Sequence, residues 1–94
     1  MTDISALSNL INLQDLYFYN NQVTDISALS NLANLKLLSF DHNQVSNISA
    51  LVKNEGLGPG DDIFMMNNCL DLGEGSQDMQ DIETLISRGV DVYY

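Results

Sequence analysis

The chain has 94 residues, enough for one domain whose core has little to spare. It is 45% hydrophobic and 17% charged, a globular rather than a disordered composition. Thirteen acidic residues stand against three basic ones (Lys36, Lys53 and Arg88), a formal net charge of -10 that argues against nucleic acid and anionic membrane as partners.

In chain order, Met1-Thr2-Asp3-Ile4 lacks the basic and apolar regions of a signal peptide, so the expectation is an intracellular protein or a piece of something longer. Thr2 to Val23 (TDISALSNLINLQDLYFYNNQV) and Thr24 to Val45 (TDISALSNLANLKLLSFDHNQV) are two copies of one 22-residue unit. Ile4/Ile26, Leu7/Leu29, Leu10/Leu32, Leu13/Leu35, Leu16/Leu38, Phe18/Phe40, Asn21/Asn43 and Val23/Val45 correspond. A divergent third copy spans residues 46–70 and starts in step, at Ser46-Asn47-Ile48-Ser49-Ala50-Leu51. Lys53 to Gly60 (KNEGLGPG) then interrupts it. The pattern resumes at Ile63-x-Met65-x-x-Asn68-x-Leu70, displaced by a three-residue insertion that falls in the Gly/Pro-rich loop.

L-x-x-L-x-F-x-x-N-x-V is the leucine-rich-repeat pattern. It predicts one α/β domain over residues 1–94: a right-handed solenoid with short parallel strands on the concave face and helical or 3₁₀ turns on the convex side. A strand at Leu16-Tyr17-Phe18 sends Leu16 and Phe18 inward and Tyr17 and Tyr19 outward. Asn21, Asn43 and Asn68 turn inward as a ladder that satisfies backbone groups of neighbouring turns. Ile4, Leu7, Leu10 and Leu13 line the convex return. Residues 71–94 read as a C-terminal cap. Ser76 or Asp78 starts a helix to about Arg88, with Met79, Ile82, Leu85 and Ile86 on one face and Gly89 at its C-cap. Val90 and Val92 then alternate as a short strand. No such seal precedes Ile4, so the first turn is expected to pair with a second copy as a homodimer.

The stretch D-I-S-A-L-S-N-L-x-N-L at a 22-residue period most resembles the bacterial internalin-like repeat proteins. The end of the chain is similar too, at Gly56-Leu57-Gly58-Pro59-Gly60-Asp61, Asn68-Cys69-Leu70 and Arg88-Gly89-Val90-Asp91-Val92. The resemblance implies a secreted or bacterial cell-surface protein that binds another protein without catalysis and without a cofactor. It departs from the family in having fewer repeats and no evident N-terminal cap. The alternative is a truncated or engineered repeat fragment that mainly self-associates through that end.

Function should lie where the repeats differ. The outward strand positions form three rows: Asp15, Leu37, Asp62; Tyr17, Ser39, Phe64; and Tyr19, Asp41, Met66, extended by Asn20, His42 and Asn67. The partner-binding set is Tyr17, Tyr19, Leu37, Ser39, Asp41, His42, Phe64 and Met66, because aromatic groups on a concave surface anchor protein partners. The competing reading is that outward aromatics only favour strand conformation. His42 beside Asp41 has no nucleophile placed to complete a triad, so no catalytic residue is assigned. Asp61, Asp62, Asp71, Glu74, Asp78 and Asp81 lack the spacing of a calcium loop, so no metal is assigned. Cys69 is the lone cysteine, at the partly exposed position of Gln22 and Gln44. It either stays free or joins two chains under oxidising conditions. Asn47-Ile48-Ser49 is a glycosylation sequon, relevant only to a eukaryotic secretory route.

Overall fold

The computed structural model describes residues 2–94. Four three-residue strands, β1 (Asp15–Tyr17), β2 (Leu37–Ser39), β3 (Asp62–Phe64) and β4 (Asp91–Tyr93), form one parallel sheet in sequence order. Between β1 and β2, and before β1, the chain returns through 3₁₀ turns at Ser27–Asn31 and Ser5–Asn9. Before β3 the return is helix α1 (Ser49–Lys53), and before β4 it is the longer helix α2 (Gln77–Ser87). Each turn of the chain thus buries its leucines against the next, the arrangement of a leucine-rich-repeat solenoid.

The apolar alternation accounts for the core. Leu38 and Phe40 are fully buried beneath β2, Ile63 and Met65 beneath β3, and Phe18 beneath β1. Phe18 and Phe40 stack across the turn with centroids 5.8 Å apart. The strand expected at Leu16–Phe18 lies one residue earlier, at Asp15–Tyr17, although Phe18 still donates to the Ser39 carbonyl at 2.9 Å. The three-residue insertion leaves the register intact, since Leu38 pairs with Ile63.

The asparagine ladder forms where the strands end. Asn43 donates to the carbonyls of Phe18 and Phe40, at 3.0 and 2.9 Å, and accepts from the Val23 N–H at 3.0 Å. Asn68 repeats the arrangement one turn on, with Phe40, Met65 and the Val45 N–H. Asn21 donates to its own strand exit, at Phe18 and Tyr19. A second recurring device opens each return. Asp3, Asp25 and Asn47 accept from the N–H two residues on, that of Ser5, Ser27 and Ser49. Those backbone donors hold the Asp3 and Asp25 carboxyls below the usual carboxylate range.

Two expected core positions differ. Leu10 is 47% exposed, whereas its counterpart Leu32 is fully buried between the turns on either side. Ile86 is exposed as well, because α2 packs with Met79, Ile82 and Leu85 and turns Ile86 to its solvent shoulder. Asp78 and Asp81 are buried instead. Asp78 accepts from the Asp71 N–H, and Asp81 from the Gln77 side chain. In the third turn a buried asparagine, Asn54, takes the place of the leucine. It donates to the carbonyls of Leu29 and Leu32 and accepts from the Gly56 N–H. The α2 segment is fastened to that turn by Arg88, which donates to the carbonyls of Val52 and Asn54 at 2.7 and 3.3 Å. Ser76 caps α2 by accepting from the Met79 N–H, and Gly89 leaves the helix at φ 92°.

Candidate functional site

The three rows lie on the outward face of the sheet. Asp15, Leu37 and Asp62 are register partners, as are Tyr17, Ser39 and Phe64. The third row runs past the strand ends. There the Asp41 carboxylate accepts from the Met66 N–H at 2.6 Å. Asn20, His42 and Asn67 each turn the chain at a left-handed φ of 58–59°, a conformation that asparagine and, less readily, histidine tolerate. Asn67 donates its side-chain amide to His42 Nε2 at 3.2 Å.

Tyr17, Tyr19, Ser39, Asp41, His42 and Phe64 together line one open concavity of about 370 Å³. Leu37 and Met66 lie outside that lining, Leu37 half-buried in row one and Met66 exposed at the end of row three. Ser39 is only 7% exposed and forms the floor, whereas Tyr17 is 55% exposed and stands up from the face.

The fourth strand adds a column that the rows drawn from the repeats omit. Asp91 continues row one beside Asp62, and Tyr93 continues row two beside Phe64. The Phe64 and Tyr93 rings stack with centroids 4.5 Å apart and planes within 8°. A sequence signal for this exists: Asp91-Val92-Tyr93 has the acid-apolar-aromatic order of Asp15-Leu16-Tyr17 and Asp62-Ile63-Phe64. Among the described residues no ion pair or side-chain hydrogen bond engages Asp15, Asp62 or Asp91. Among the described residues no group of three or more metal-ligating side chains is drawn together, and no helix is long and apolar enough to cross a membrane. Cys69 is exposed and carries a free thiol.

An open parallel sheet with helical returns and a stacked asparagine ladder defines a leucine-rich-repeat solenoid, a fold that typically serves as a non-catalytic scaffold for protein interaction. Residues 11–53 match the leucine-rich-repeat family, described as two copies of the repeat. No curated protein matches the chain. Among solved structures it is similar to an internalin from Listeria monocytogenes, with 33% identity and a TM-score of 0.77 over 99% of this chain and 27% of that one. It is also similar to internalin C2 from the same organism, with 29% identity and a TM-score of 0.71 over 99% of this chain and 35% of that one. The chain thus spans about a quarter to a third of the length of these internalins. It is an internalin-like leucine-rich-repeat protein.

Proposed function

We propose that the concave sheet face binds a protein partner, through Tyr17, Tyr19, Leu37, Ser39, Asp41, His42, Phe64 and Met66, with Tyr93 added by β4. In this reading residues 2–70 are the repeats, residues 71–94 are the cap, and the protein acts without catalysis at a bacterial surface or after secretion. The observation that carries it is the outward aromatic row, with Tyr17 and Tyr93 exposed and Phe64 half-buried between Ser39 and Tyr93 on the sheet face. Exposed aromatics carry a hydrophobic cost in isolation and are enriched where partners dock. The likeness to internalins supports the setting.

A photo-crosslinking residue placed at Met66, or on the convex side at Ile11, tests this. A partner cross-linked from Met66 and not from Ile11, and lost in Tyr17→Ala/Phe64→Ala, is the expected result. Equal cross-linking from both positions overturns it. A second reading rests on Leu10, 47% exposed where Leu32 is buried: the outer side of the first turn receives a second copy of the chain. A monomeric mass at micromolar concentration by light scattering refutes that homodimer.

A further inference from the structure

Row two is a ladder of rings with one rung missing. Phe64 and Tyr93, on adjacent strands, stack at 4.5 Å, close to the strand spacing of about 4.8 Å. Tyr17 stands two strands from Phe64, with Ser39 in register between them. Two spacings come to about 10 Å, so a planar group lying over Ser39 would be one rung from each ring. The space above Ser39 belongs to the concavity of about 370 Å³, open to solvent and floored by a small side chain.

The surrounding chemistry selects which planar group fits. Asp41 lines the slot, two residues beyond Ser39. Its Oδ1 accepts from the Met66 N–H, and among the described residues no other hydrogen bond or ion pair engages the carboxylate. Asp15 and Asp62 flank Leu37 in row one. None of the three basic residues, Lys36, Lys53 and Arg88, stands in the rows, and Arg88 is committed to the carbonyls of Val52 and Asn54. A guanidinium is planar, stacks on aromatic faces, keeps its charge and offers a fork of donors to a carboxylate. A neutral aromatic ring would use the stack but leave the Asp41 charge without a counter-charge. An ammonium would use the charge but not the slot. Leu37, on the other side of Ser39, offers apolar surface to the methylene stem of an arginine.

We propose that the slot over Ser39 is an arginine-recognition site, in which a partner's guanidinium enters between Tyr17 and Phe64 and donates to Asp41. This rests on the concave-face reading and narrows it to a partner that presents an exposed arginine.

Blocked pentapeptides with arginine, citrulline, lysine or phenylalanine at the centre of four glycines supply the probe, followed by amide NMR of the whole chain at low salt. The arginine peptide is expected to shift the Ser39 and Phe64 amides saturably. It should bind about tenfold more tightly than the citrulline or lysine peptide, within the range a partly desolvated cation–π contact carries. Ser39→Phe, which fills the slot from within, should abolish the response with an unchanged far-UV spectrum. Asp41→Asn, which can still accept from the Met66 N–H, should weaken it by a similar factor and carries the test if Ser39→Phe does not fold. A phenylalanine or lysine peptide that binds as well as the arginine one overturns the proposal, as does the absence of saturable shifts at these amides. If that happens while the Met66 cross-link persists, only the guanidinium assignment falls. If the cross-link is not confined to the concave face, both readings fall.

Discussion

Replacing Gly56 with alanine puts a methyl group where the backbone of the preceding turn already lies. The new Cβ would stand 2.0 Å from the Ala33 carbonyl oxygen, 2.7 Å from its carbon and 2.8 Å from its Cα. Ordinary contact needs about 3.5 Å, so the two turns would have to part by roughly 1.5 Å. Asn54 ties them together there, donating to the carbonyls of Leu29 and Leu32 at 2.9 and 3.0 Å, while its own oxygen accepts from the Gly56 N–H within the same turn at 3.0 Å. Losing the two bonds between the turns costs about 1 kcal/mol each, and overpacking adds about 1–3 kcal/mol. The expected loss is about 3–5 kcal/mol, from a domain whose whole stability is about 5–14 kcal/mol. At about 4–8 °C per kcal/mol the melting temperature should fall by at least about 12 °C, read by calorimetry or a circular-dichroism melt. Gly58→Ala is the control. Its Cβ would meet only the Arg88 carbonyl oxygen, at 3.8 Å, so its effect should stay within about 1 kcal/mol. A Gly56→Ala variant that melts within about 3 °C of the parent, or a Gly58→Ala variant that falls as far, would refute the reasoning.

Asn43→Ala removes three donated bonds and one accepted bond from a site only 6% exposed. It should cost about 3 kcal/mol, seen as a lower urea midpoint at an unchanged slope. Asp62 and Asp91 are register partners of like charge with no cation between them, so Asp91→Asn should stabilise by about 0.2–1 kcal/mol. A melting temperature that falls instead would show that the carboxylates do not repel. The Asp3 and Asp25 carboxyls are held below their ordinary 3.8 by the backbone N–H groups of Ser5 and Ser27. Their stabilisation is therefore present above the unfolded value and lost as the pH falls through the lower folded ones. The urea midpoint should drop as the pH falls below the ordinary carboxylate value of 3.8, and Asp25→Asn should narrow that drop, because an asparagine makes the same turn at Asn47 without a charge. An unchanged drop in the variant would count against this account.

The repeat made the solenoid legible because its spacing is a statement about which side chains meet. Leu16, Phe18 and Asn21 can only serve together if the chain closes one turn every 22 residues. What pattern alone misplaced depended on neighbours. Leu10 has the same residue type and spacing as Leu32, yet only Leu32 is covered on both sides. Ile86 follows the helical spacing of Met79, Ile82 and Leu85 but falls just beyond the stripe that α2 buries. Asn54 breaks the leucine pattern, and its role emerges only once the carbonyls of Leu29 and Leu32 are brought within 3.0 Å. The concave rows followed from alternation within each strand. Tyr93 was missed because β4 follows a helix rather than another repeat, although the acid-apolar-aromatic order of its three residues marks it.

The insertion between α1 and β3 has a consequence for how such a surface can change. Three extra residues enter on the return side, and the strand that follows still pairs Leu37 with Asp62 and Ser39 with Phe64. Loop length and concave register are therefore separate variables in this architecture. Lineages or designers can lengthen, shorten or decorate the back of a turn while the outward residues in front keep their addresses. A residue exchanged at Ser39 is read by the same two neighbours whatever happens behind it.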